Sequence, residues 1–189
     1  MNIPYTTERR ADTGVTNVTL GMWLFIASEV MLFGALFSSY ALLRASATDW
    51  PSGRQVLNLS LGLGNTVVLL GLTSLVWRAR SVSTQAVSQL LLLSSILAAV
   101  FLGMKSAEYV RDFSTGLLPR VSTFLAMYFT LTGLHAAHVI AGIVANAWVA
   151  AGARRGDDAL TAGRVRALAI YWAFVDIVWL IILVLMYVL

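Results

Sequence analysis

The sequence contains no cysteine, two histidines and three prolines in 189 residues. Without cysteine there is no disulfide framework, thiolate metal site or iron–sulfur ligation. Two histidines, His135 and His138, also exclude a multi-haem or histidine-rich copper centre built from this chain alone. Charge is scarce too: Asp, Glu, Lys and Arg make up 12% of the residues, against 59% hydrophobic. With a mean hydropathy of +0.80, a water-soluble domain of this length could not cover its apolar surface. The fold class is therefore all-α, a polytopic membrane protein.

What is present is a series of long apolar runs. Five spans are expected, at about 20–43, 56–77, 86–108, 121–149 and 167–189, preceded by a polar tail over 1–19. Each run approaches or exceeds the roughly 20 residues that a helix needs to cross the hydrocarbon core, and only helices or closed barrels satisfy their backbone there. The chain thus reads as a bundle of five transmembrane helices, with linkers too short to hold a further domain. The first run is too long, and too interrupted by Trp23 and Glu29, for a signal peptide.

The net charge of +4 and pI near 9.9 would suggest nucleic acid in a soluble protein. Here the arginines sit beside spans, so membrane-surface electrostatics explains them and no nucleic-acid partner is expected. Arg9, Arg10, Arg78, Arg80, Arg154, Arg155, Arg164 and Arg166 fall on one side of the spans. Arg44, Arg54, Arg111 and Arg120 fall on the other, with Lys105 near a helix end. The positive-inside rule then places the N-terminus in the cytoplasm and the C-terminus outside a bacterial inner membrane.

The polar residues inside the spans are few. Glu29 lies in the first, His135 and His138 in the fourth, Asp176 in the fifth. An intramembrane acid costs several kcal/mol unless neutral or paired, which makes it a functional-site candidate by default. At 1.5 Å rise per residue, Glu29 and Asp176 sit roughly 13 Å and His138 roughly 16 Å from the inner end, with His135 one turn further out. Two readings stand: Glu29 and His135 tie the first and fourth helices together, or they form a protonatable group affecting proton movement. A haem or metal site at H-x-x-H is weaker, since no other strong ligand completes a sphere. Asn58 and Asn65, near Gly62 and Gly64, and Asn146, four after Gly142, read as helix-packing residues. Trp23, Trp77, Trp148 and Tyr187 lie near span ends, as an interfacial belt requires.

Three motifs carry a resemblance: GMWLFIASEVMLFGALF, FLGMKSAEYVRDFSTGLLPRVSTFLAMYFTLTGLHAAHVIAG and YWAFVDIVWLIILVLMY. In that order they resemble subunit III of the haem–copper respiratory oxidases, in its short five-helix bacterial form. One departure is Ala173, where the family usually has histidine, so a polar or headgroup contact expected there is in doubt.

The resemblance implies a non-catalytic subunit of a proton-pumping terminal oxidase, with no redox centre and no metal of its own. Haem and copper would reside in partner subunits, the catalytic subunit I and subunit II. The subunit would support proton uptake, slow turnover-linked inactivation and bind phospholipid between its helices. By motif match, Glu29 and His135 would be the buried acid and its hydrogen-bonding partner, beside His138. Glu108 with Tyr109 would stabilise the outer end of the third helix, and Trp172 and Asp176 would anchor the fifth. On charge alone, Arg154, Arg155 and Arg166 would meet anionic headgroups. Two alternatives remain: an accessory protein of a nitric oxide reductase, and a small independent transporter. The transporter predicts inverted repeats or Gly/Pro-broken helices. None is visible, and Pro4, Pro51 and Pro119 lie outside the spans.

The charge asymmetry is testable with C-terminal reporter fusions. A reporter that works only outside the cytoplasm is expected to be active, and activity of a cytoplasm-only reporter would reverse the orientation.

Overall fold

The computed structural model describes residues 8–156 and 158–189, with the backbone alone for Ala159. The chain forms α1 (Asn17–Ser46), a single turn α2 (Gly53–Val56), α3 (Leu59–Arg78), α4 (Thr84–Ser114), α5 (Thr123–Ala153) and α6 (Asp158–Ile182). The last continues as a π-helical segment, Leu183–Val188. No strand occurs among the described residues. Five helices are long and apolar enough to cross a membrane.

Capping residues set the boundaries, and several differ from the hydropathy reading. Thr16 accepts a hydrogen bond from Thr19 N, so α1 starts at Asn17, inside the expected tail; residues 1–7 of that tail lie outside the described residues. Just before the helix, the Arg10 guanidinium grips Asp12 with two bonds of 2.9 and 2.8 Å and holds its carboxyl down at about 2. Asn58 Oδ1 accepts from Ser60 N and Leu61 N, which starts α3 at Leu59. Asn58 is therefore a cap and not the packing residue expected. α4 runs six residues past the expected end at 108, and α6 starts nine before 167. Ala, Leu and Arg continue a helix beyond its apolar window, which hydropathy cannot see. Arg164 and Arg166 consequently lie on α6 and not in a loop.

Packing grades from a central helix to a peripheral one. In the apolar window of α6, 61% of residues are buried inside the protein, against 11% for α1. α6 lies against α1, α3 and α5, while α1 leans on α6 and barely touches α5. Small residues permit the close approaches: Gly62 faces Leu183 and Tyr187, and Gly142 faces the indole of Trp172. Lone hydroxyls are hidden by local bonds, as Ser28 to Phe25 O, Ser39 to Ala35 O, Ser74 to Gly71 O and Thr130 to Ala126 O.

Gly142→Ala tests the tightest of these contacts between helices. Its Cβ would stand 2.5 Å from Trp172 Cζ2, and Trp172 is fully buried. Overpacking of this kind costs about 1–3 kcal/mol, so the melting temperature in detergent should fall by several degrees. Gly64→Ala, whose Cβ would meet only the flexible Met104 Cε at 3.4 Å, should melt close to the parent.

Candidate functional site

Glu29 and His138 meet where α1 crosses α5. Glu29 Oε2 lies 3.0 Å from His138 Nε2, and the two side chains are 15% and 12% exposed. His138 Nδ1 lies 2.9 Å from the carbonyl of Leu134, which can only accept, so Nδ1 carries a proton. Nε2 and Oε2 then share one further proton. The pair is either a neutral carboxylic acid donating to imidazole or a carboxylate accepting from imidazolium. In both cases it is neutral overall, the state in which an acid is tolerated at this depth. The ring of Phe33 packs on His138 at 5.2 Å, and Tyr171 OH donates to His138 O at 2.6 Å. α6 thereby braces the helix that holds the imidazole.

This corrects the expected partner: Glu29 pairs with His138 and not with His135. A step of three residues turns a helix about 60° short of a full circle, enough to send the two imidazoles into different gaps. His135 points inward, 1% exposed, with Trp179 at 5.2 Å and Phe101 at 5.5 Å, and neither ring nitrogen makes a hydrogen bond to the described residues.

A second polar cluster lies toward the opposite end of the bundle, around a residue that hydropathy had left at a helix end. Lys105 is 3% exposed. Its ammonium donates to Glu108 Oε2 at 2.9 Å, Tyr128 OH at 3.0 Å and Tyr187 OH at 2.9 Å. Tyr187 in turn donates to Glu108 Oε1 at 2.8 Å, and Tyr128 reaches Asp112 Oδ2 at 3.5 Å. All three ammonium protons and both Glu108 oxygens are used. Tyr187 is fully buried and belongs to this cluster, not to the interfacial belt expected; Trp23, Trp77 and Trp148 are exposed. Tyr109 makes a separate tie to Thr132, whose own proton goes to Tyr128 O. The Lys105, Glu108, Asp112 spacing (i, i+3, i+7) was the available signal, obscured because the span was ended at 108.

The other candidates divide. Trp172 Nε1 donates to Asn146 Oδ1 at 3.1 Å, and Asn146 Nδ2 donates to Ser94 Oγ at 2.9 Å, joining α6, α5 and α4. Asp176 faces Thr73 of α3, with Oδ1 buried and without a hydrogen bond. Asn65 is fully buried and its amide makes no hydrogen bond either. Arg154 is held by Ser88 Oγ at 2.9 Å; Arg155 is exposed. Arg166 is exposed near Arg80, Ser81 and Trp77 at the mouth of a small polar pocket. Among the described residues no three His, Asp or Glu side chains converge as a metal-binding group.

These features define a class first: a multi-pass helical membrane protein with a neutral acid–imidazole pair on its most peripheral helix. The family described as "Cytochrome c oxidase subunit III" matches residues 7–189, and the chain belongs to that family. It is 32% identical over 183 residues to the cytochrome bo(3) ubiquinol oxidase subunit 3 of Pseudomonas aeruginosa, covering 90% of this chain and 84% of that one. It is 31% identical over 182 residues to the cytochrome c oxidase subunit 3 of Bacillus subtilis, covering 90% and 86%. A third relative, from Aeropyrum pernix, is named heme-copper oxidase subunit I+III; 35% identity over 181 residues covers 88% of this chain and 22% of that one.

Removing one member of the buried pair Lys105–Glu108 should destabilise by about 3–5 kcal/mol, because it strands the other charge. Lys105→Met alone is expected to lower stability in a denaturant titration of the detergent-solubilised chain. Lys105→Met with Glu108→Leu should recover part of that loss, and a double variant as unstable as the sum of its singles would show that the two groups do not interact.

Proposed function

We propose that the chain is a non-catalytic subunit III of a proton-pumping haem–copper terminal oxidase reducing O2 to water, in a bacterial cytoplasmic membrane. Haem and copper belong to its partners, subunits I and II, and its own part is to steady the catalytic subunit and support proton uptake. The observation that carries this reading is the Glu29–His138 pair, set in a chain that matches the family along nearly its whole length. A hydrogen bond beside the bilayer's hydrocarbon, braced from α6 through Tyr171, is suited to holding helices in register. The relative named subunit I+III favours subunit I as the immediate neighbour.

Lipid binding is supported by an apolar groove of about 660 Å³ between α1 and α6, lined among others by Ile26, Phe33, Phe37, Phe174 and Ile177. Ala173, where the family resemblance leads one to expect histidine, lies in this apolar wall. Trp77 borders both this groove and the polar pocket of Arg80 and Arg166, an arrangement that suits an acyl chain below an anionic headgroup.

The test is a mild-detergent isolation of the tagged chain with reduced-minus-oxidised spectra and O2 consumption. Co-purified haem and O2 uptake support the reading; a colourless chain, or NO reduction without O2 uptake, refutes it. Within the complex, Glu29→Ala and His138→Ala should shorten activity during sustained turnover or loosen subunit retention equally, at an unchanged haem spectrum. The lost interhelical bond is worth about 0.5–2 kcal/mol. His135→Ala should not reproduce that phenotype, and a changed haem spectrum would count against a supporting role.

A further inference from the structure

Two buried side chains on different helices are left with four unanswered polar atoms. Both ring nitrogens of His135 on α5, and both amide atoms of Asn65 on α3, are buried without a hydrogen bond to the described residues. The two residues lie at one level of the bundle. Asn65 adjoins Thr66, whose hydroxyl takes the Trp179 N–H at 3.0 Å, and the Trp179 ring is 5.2 Å from that of His135. On its other side Asn65 adjoins Gly64, which faces Met104 of α4, about one turn from Phe101, and Phe101 packs 5.5 Å from the His135 ring. Asn65 also shares the buried stripe of α3 with Leu69, Leu72 and Val76, so its amide leaves the helix toward the interior. The polar groups nearby are already used. Thr66 gives its own proton to Gly62 O, and the Lys105 ammonium gives its three to Glu108, Tyr128 and Tyr187.

We propose that the bundle interior holds bound water between α3, α5 and α6, bridging the His135 imidazole to the Asn65 amide. A neutral imidazole presents one donor and one acceptor, and an amide presents both kinds, so the ligand must donate and accept. Water does this, and buried water takes up polar groups that the protein leaves unpaired. A cation is disfavoured, because the Lys105 ammonium stands over the same Trp179 ring at 5.8 Å and neither His135 nor Asn65 brings a negative charge. An anion is not drawn either, since Glu108 already answers that ammonium. Leu69, Phe101, Leu131 and Trp179, all fully buried, crowd this level, which suits a ligand no larger than water. Within the protein, one other answer exists: the imidazole and Phe101 rings stand edge to face at 74°, a geometry open to an N–H on the phenyl face. That contact leaves the second ring nitrogen and the whole Asn65 amide unanswered. The water bridge ties α3 to α5, which otherwise meet mainly through α4 and α6.

With only two histidines in the sequence, isotope labelling isolates the site. The full chain, carrying the magnetic nitrogen isotope in its histidines, is reconstituted in phospholipid bilayers for solid-state NMR. His135→Phe identifies which ring signals belong to His135. In the parent chain, magnetisation started on water protons should reach the His135 ring nitrogens several-fold faster than the His135 backbone amide, which is locked in α5. Asn65→Leu, similar in volume, should slow the ring to the rate of the backbone amide, with the His138 ring signals unshifted as the sign of an intact bundle. A parent ring no faster than its own amide would show a dry site and overturn the proposal, however the variant folds. A ring still fast in Asn65→Leu, with His138 unshifted, would overturn the bridge to Asn65.

Discussion

Hydrocarbon offers no hydrogen bonds, and nearly every polar choice in this bundle follows from that. A hydroxyl that faces lipid folds back on its own helix, as Ser28, Ser39 and Thr130 do. Several larger polar groups form closed sets between helices, whereas His135 and Asn65 are buried without hydrogen bonds to the described residues. Lys105 spends its three protons on Glu108, Tyr128 and Tyr187, and Asn146 links Trp172 to Ser94. These sets are directional where apolar packing is not, so they specify which helices meet and at what height.

Glu29 and His138 obey the same rule with a different margin. Their bond satisfies one Glu29 oxygen and His138 Nε2, with Nδ1 on the Leu134 carbonyl, yet the pair stays part-exposed on a helix that the bundle scarcely buries. The deep clusters are locked on all sides and suit a structural role. The peripheral pair stays part-exposed, on the helix that the bundle buries least. α1 then has a distinct surface on each side, an apolar groove toward α6 and a polar, alanine-walled groove toward α5.

α6 connects these regions. It carries Tyr171 beneath His138, Trp172 on Asn146, Trp179 on His135 and Thr66, and, after its π-helical segment begins, Tyr187 in the lysine cluster. π-helical turns are rare and often mark functional positions. Here the segment sets Tyr187 into the cluster while Tyr40 takes the carbonyl of Leu185.

Class and span number were legible in the chain alone, because crossing a bilayer demands long apolar helices whatever their neighbours are. The family motifs were legible as well, and so was the candidacy of Glu29, since an acid in an apolar run is costly in any fold. The partner of Glu29 was not: His135 and His138 share a broad helix face, and only the crossing of α1 over α5 selects the second. Lys105 looked peripheral and Asp112 fell outside the expected span because hydropathy ends a span where charge begins, whereas the helix continues and folds those groups inward, with Tyr187 reaching Lys105 from the end of the last helix. Periodicity and composition are properties of single segments, so the sequence holds them. A hydrogen bond between Glu29 and a residue 109 positions away depends on the height and rotation of two helices, which packing of the whole bundle sets.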